Sequence, residues 1–159
     1  MSVILIGMPS SGKSTVGKIL AERLGRAFVD TDELVREKAG MQIPEIFEKY
    51  GEDYFRELEA RAVSEIAAQT SSVIATGGGG PLRASNTRAL KQKGRIIFLD
   101  RPLDALTPTA DRPLTSNNDA MVKIYNQRYG IYSDAADMVV EASRDAQSVA
   151  HEIERIFLK

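Results

Sequence analysis

The sequence is 159 residues long, with 43% hydrophobic residues, 27% charged residues and a formal net charge of −1. That balance excludes a disordered chain, a membrane-spanning one and a strongly basic nucleic-acid binder. There is no cysteine, which removes disulfides and thiolate metal sites. The opening MSVILIG lacks the basic flank and apolar length of a secretory signal, so a cytoplasmic location is expected.

A chain of this size fits one domain, 1–159, burying roughly 70% of the surface its unfolded form exposes. Apolar runs at Val3–Ile6, Ala27–Val29, Val73–Ala75, Ile96–Leu99 and Met138–Val140 are separated by longer stretches of helical character. This alternation predicts an α/β fold built on a mostly parallel sheet. No repeat or low-complexity linker divides the chain.

Directly after the first run stands GMPSSGKST, Gly7 to Thr15, which satisfies G-x-x-x-x-G-K-[ST] between a strand and a helix. Phosphates carry dense negative charge, and a glycine-framed loop turns backbone N–H groups toward them while the helix N-terminus adds its positive dipole end. Gly7, Met8, Pro9, Ser10, Ser11, Gly12, Lys13, Ser14 and Thr15 are therefore the candidate nucleotide-binding residues. Lys13 is expected to reach the β- and γ-phosphates and Ser14 to ligate the accompanying Mg²⁺; Thr15 reads also as an ordinary first-turn residue. The helix from Lys13 to Leu24 places Val16, Ile19, Leu20 and Leu24 on one face, with Gly25 as its stop.

The second run leads into Asp30-Thr31-Asp32 at the carboxyl edge of the predicted sheet, where open α/β sheets bind ligands. Asp30 is assigned to the metal, through water, and Asp32 to an acceptor hydroxyl as its base. The plainer alternative is that one of them caps a helix starting near Glu33. A helical region follows from about Ile43 to Ala68, divided at Gly51, with Ile46, Phe47, Tyr50, Leu58, Val63 and Ile66 expected in the core.

After the third run comes TGGGGP, read either as a flexible linker or as a loop leaving its backbone open to a ligand. Arg83, Arg88, Lys91 and Lys93 then read as a solvated helix face rather than an anion site, since no aromatic residues interleave. The segment from Ala146 to Phe157 carries Val149, Ile153, Ile156 and Phe157 at helical spacing, and its His151, the only histidine, reads as a surface or packing residue.

Taken in order and spacing, GMPSSGKST, FVDTD, IFEKYGEDYFRELE, TGGGG and RPL resemble the shikimate kinases over nearly the whole chain. The resemblance implies transfer of the ATP γ-phosphoryl group to the 3-hydroxyl of shikimate, giving shikimate 3-phosphate and ADP on the route to chorismate. The implied architecture is a three-layer P-loop kinase fold: a five-stranded parallel sheet flanked by helices, substrate-binding helices about 33–60 and a mobile lid about 106–119. It makes Lys13, Asp32 and Arg112 the catalytic set, Pro113 and Leu114 completing the Arg112 motif. Asp32, Arg56, Gly77, Gly78, Gly79 and Arg128 become the shikimate contacts, the two arginines taking the carboxylate. Glu59 orients Arg56, and Phe47 and Phe55 offer apolar contacts to the ring, though both also read as plain core residues. The implied partners are ATP/ADP and shikimate with Mg²⁺, no nucleic acid and no membrane, and the implied state is a monomer.

Gly80 is one glycine more than that pattern requires. Upstream of Arg112 the lid carries Leu106, Thr107, Pro108 and Thr109 where related lids carry further arginines, so Arg144 is assigned to the adenine. A lid rich in Thr, Ser and Asn, with Gly130 beyond it, is expected to move. Two rivals stand beside this reading: a kinase for another small acceptor such as gluconate, and a nucleotide-binding regulatory module without turnover.

Overall fold

A computed structural model describes residues 1–69, 71–106 and 118–158. Its centre is β1 (Ser2–Ile6), five buried residues rich in β-branched side chains, the continuous apolar pattern of a strand covered on both faces. With β2 (Ala27–Asp30), β3 (Ser72–Ala75), β4 (Gly94–Asp100) and β5 (Met138–Glu141) it forms a five-stranded parallel sheet in the order β2-β3-β1-β4-β5.

Period-two alternation divides the core into two layers. Val3 and Leu5 of β1 pack with Val16 and Leu20 of α1 (Lys13–Leu24) and with Val149 and Ile153 of α7 (Ala146–Phe157). Ile4 and Ile6 face the other way, onto Val63 and Ile66 of α4 (Glu52–Ala67), Leu90 of α5 (Ala84–Lys93) and Met121 and Tyr132 of α6 (Asn118–Ala135). Each such fully buried aliphatic side chain contributes roughly 1.5–3 kcal/mol. A satellite cluster joins Val35 of α2 (Thr31–Ala39) and Ile43 and Ile46 of α3 (Ile43–Tyr50) to Phe55, Leu58 and Ala62 of α4.

Because all strands run the same way, the segments after β1, β2, β3, β4 and β5 emerge on one edge of the sheet. Three sequence expectations shift here. The helix after β2 starts at Thr31, two residues before the expected Glu33. Tyr50 is 54% exposed instead of buried: it is the last residue of α3, the chain turns at Gly51, and its ring stacks on Tyr54 at 4.6 Å. The segment given to the lid is trimmed at both ends, for Leu106 is buried in the core and Asn118 and Asp119 already belong to α6, which also carries Gly130. Arg112, Pro113, Leu114 and residues 107–109 lie outside the described residues, and so does the rest of that segment up to 117.

Candidate active site

The loop between β1 and α1 is shaped by three positive-φ residues, Gly7 at 149°, Ser10 at 69° and Gly12 at 91°. Gly7 also meets the backbone of β4, since a Cβ there would lie 2.7 Å from the Leu99 carbonyl oxygen. Ser11 N–H donates to the Met8 carbonyl at 3.1 Å and closes the turn. Gly12 caps α1 with no side-chain hydrogen bond and no acid follows in the first turn. The orphan N–H groups of that helix end, and its dipole, are thus left for an anion. By contrast, α2 and α7 have their N-termini satisfied by the carboxylates of Asp30 and Asp145.

Lys13 is buried and folds back over the loop, its Nζ donating to the carbonyls of Gly7 at 2.8 Å and Met8 at 2.7 Å. Ser14 Oγ donates to Asp30 Oδ2 at 2.6 Å, while Asp30 Oδ1 accepts from Asp32 N–H at 2.9 Å. Asp30 therefore does the capping that the sequence left open between the two aspartates, and Asp32 is released from it. Pro9, Ser10, Gly12, Lys13, Ser14, Thr15, Asp30, Asp32, Thr76 and Gly78 line one cleft of about 170 Å³. Thr76, whose Oγ1 donates to the Leu5 carbonyl at 3.2 Å, is a lining residue the sequence reading did not single out.

The donor set of this cleft fits a magnesium ion. Ser14 Oγ and Asp30 Oδ2 are hard oxygen atoms already side by side. Two protein oxygen atoms suit an ion that keeps several waters and takes its remaining ligands from nucleotide phosphates.

At the other end of the cleft the glycine triplet is packed by side chains. A Cβ on Gly77 would sit 2.5 Å from Asp32 Oδ1 and 2.9 Å from Glu59 Oε2; on Gly78, 2.8 Å from Pro9 Cδ and 3.1 Å from Arg128 Nη1; on Gly79 it would overlap the Arg56 guanidinium. None of the three has a positive φ, so space and not backbone freedom demands glycine. The linker reading of this stretch fails on that packing. Gly77 N–H donates to Thr31 Oγ1 at 2.8 Å, tying the triplet to the start of α2.

Arg56 is held on several sides. Its Nη1 donates to Glu59 and its Nη2 to Glu52, each at 3.1 Å, and its guanidinium lies 5.2 Å from the Phe55 ring centroid. Phe55 is itself buried and packs on half-buried Phe47 at 5.1 Å, which makes the pair core residues that support the site. Burial pushes the Glu59 carboxyl above its ordinary value; Arg56 beside it pulls the other way, and Asp32 raises it further. Arg128 is 5% exposed and also lines a depression of about 580 Å³ shared with Glu52, Leu82, Lys123, Ile124 and Ile131.

Arg144 stands apart on the loop after β5, exposed and ion-paired with Glu152. His151 is exposed beside Arg23, 2.9 Å from its Nη2. Arg83 pairs with Glu57 at 2.8 Å, part of the solvated face the sequence suggested.

A protein-family model described as shikimate kinase matches residues 9–157. Shikimate kinases of Clostridium beijerinckii and Symbiobacterium thermophilum are 38% and 41% identical to the chain, over 98% and 96% of it and 94% of each relative. Among solved structures, a shikimate kinase from Acinetobacter baumannii in complex with shikimate superposes with a TM-score of 0.94 at 34% identity, covering 99% of this chain and 92% of that one. The enzyme from Aquifex aeolicus gives 0.88 at 35% identity, covering 99% and 96%.

Proposed function

The chain belongs to the shikimate kinase family and is an ATP-dependent kinase, and we propose that the two ends of its cleft divide the work of moving the γ-phosphoryl group to the 3-hydroxyl of shikimate. The observation that carries this is the convergence of a P-loop lysine, a Ser14–Asp30 oxygen pair and a non-capping aspartate, Asp32, in one cleft that Gly78 also lines, with Arg128 against Gly78 and Arg56 against Gly79.

In this reading Gly7 to Thr15 cradle the ATP phosphates, with Lys13 leaving the loop carbonyls to pair with phosphate oxygens. Ser14 holds Mg²⁺ directly and Asp30 through water; the ion neutralises phosphate charge when bound. Arg56 and Arg128 take the shikimate carboxylate, which sets the hydroxyl against Asp32. As the new O–P bond forms and the bond to ADP breaks, the hydroxyl proton passes to the Asp32 carboxylate. Arg112 stabilises charge on the group in transfer, and Arg144 stacks on the adenine. Little covalent chemistry is asked of the protein; position and charge supply the catalysis.

A monomer of one domain is part of the same reading. No helix among the described residues is long and apolar enough to cross a membrane, which is compatible with the cytoplasmic assignment.

Coupled ADP release with ATP and Mg²⁺ tests the reading, comparing shikimate with gluconate, nucleoside monophosphates and no acceptor. A rate that requires shikimate is the expected result. A rate with gluconate alone would transfer the scheme to another acceptor, and ATP binding with no acceptor-dependent rate would leave a nucleotide-binding regulatory module.

A further inference from the structure

Tyr132 is the largest fully buried side chain among the described residues, at 0% exposure, and it is polar. A buried phenol needs a partner, because an unsatisfied hydroxyl costs about 1–3 kcal/mol. Tyr132 Oη donates to the Gly78 carbonyl at 2.6 Å, a contact that spans 54 positions of sequence. Its ring lies 5.3 Å from that of Phe98 on β4, which fixes the angle at which the hydroxyl arrives.

Arg128 precedes Tyr132 by one turn of α6, the spacing at which helical side chains meet. Burial pushes the phenol above its ordinary value, while the Arg128 guanidinium beside it, within hydrogen-bonding reach, pulls the other way. The phenol is thus a neutral donor throughout the physiological range. It gives to Gly78, and a Cβ on Gly78 would itself touch Arg128 Nη1 at 3.1 Å, so phenol, triplet and guanidinium meet at one point.

We propose that Tyr132 is a positioning residue for the acceptor: its hydroxyl ties the Arg128 guanidinium to the Gly78 carbonyl, so α6 and the glycine triplet present one fixed binding surface to the acceptor carboxylate. This rests on the assignment of Arg128 to that carboxylate. Without the hydroxyl, Arg128 keeps its charge and loses its orientation, and a planar bidentate contact is sensitive to orientation. Tyr132 Oη donates to the glycine triplet at the acceptor end, so its removal acts on acceptor binding and spares nucleotide binding.

The test is Tyr132→Phe, which keeps the ring on Phe98, measured beside the wild-type chain and in a cycle with Arg128→Ala. The expected result is a shikimate KM raised about tenfold, with kcat and the KM for ATP within about twofold of wild type. In the cycle, Tyr132→Phe added to Arg128→Ala raises the shikimate KM no further, because the hydroxyl acts through the arginine. An unchanged shikimate KM, an equal rise in both KM values as from general loosening, or multiplicative effects in the cycle would each overturn the proposal. A wild-type chain with no shikimate-dependent ADP release would instead overturn the assignment of the acceptor on which it stands.

Discussion

The two ends of the cleft are built from different materials. At the phosphate end the backbone is the binding surface, with Gly7, Ser10 and Gly12 at positive φ and an uncapped helix N-terminus behind them. At the acceptor end the backbone is a floor: Gly77, Gly78 and Gly79 have ordinary dihedrals and are bare so that Asp32, Glu59, Pro9, Arg128 and Arg56 can rest on them. A phosphate is met by many equivalent N–H donors, which a loop supplies. A carboxylate and a hydroxyl on a ring must be met at fixed places, and only side chains locked by neighbours supply that.

Asp32→Asn cuts hardest across this division. It keeps the size of the side chain and removes the proton acceptor, so kcat is expected to fall about 10³-fold while the KM for ATP stays within about twofold. Steady-state ADP release and ATP titration measure the two numbers. Near-normal turnover would move the base elsewhere.

Gly79→Ala comes next and probes the floor. The new methyl would overlap the Arg56 guanidinium, whose Nη1 and Nη2 are already committed to Glu59 and Glu52, so the arginine must leave its place. Shikimate KM is expected to rise about 10²-fold, with ATP binding unchanged and thermal stability lowered by about 1–3 kcal/mol. Weakened ATP binding in this variant would erase the separation between the two ends.

Glu59→Gln sharpens the electrostatic side of the same comparison. The folded chain raises the Glu59 proton affinity above the ordinary value of 4.5, chiefly by burial. Above that pH the unfolded chain has lost a proton that the folded chain still holds, so this residue's contribution to stability falls as pH rises through the folded value. The glutamine variant lacks this slope. Melting temperatures of the two proteins, followed upward from pH 4.5, should therefore move in the variant's favour, while its shikimate KM worsens because Arg56 has lost the carboxyl group that holds its Nη1. A gap constant with pH would show that Glu59 is ionised in both states.

Most of the scaffold was legible in the sequence because local chemistry determines it. The apolar runs of β1 to β5 needed no partner to be recognised, and Gly25 marked the end of α1 by a left-handed turn, φ 63°, that side chains resist. The phosphate loop was legible for the same reason. What stayed hidden depends on distant pairs. Spacing gave Arg56 its Glu59, but not that Asp32 approaches the same point from α2. Tyr132 looked like any helical aromatic, for its partner Gly78 lies across the fold. Tyr50 kept the apolar period of α3 and still ended in solvent, because periodicity does not say where a helix leaves the core. The side chains that rest on the glycine triplet also come from across the fold, Asp32, Glu59, Pro9, Arg128 and Arg56 lying nearest to it.

The smallest expected effect comes from the fourth glycine. Gly80 begins a short 3-10 turn, Gly80–Leu82, and a Cβ there would lie 3.5 Å from Thr76 Cβ and 3.9 Å from Thr76 Oγ1, ordinary van der Waals contacts. Its φ is not positive, so alanine enters without strain and removes conformational freedom from the unfolded chain, a gain of about 0.4–1 kcal/mol. Gly80→Ala should thus raise the melting temperature slightly and leave both KM values and kcat alone, one residue away from a position where the same methyl displaces Arg56. If alanine at 80 instead damaged shikimate binding as alanine at 79 does, the acceptor end would depend on glycine flexibility after all, and its difference from the phosphate end would be lost.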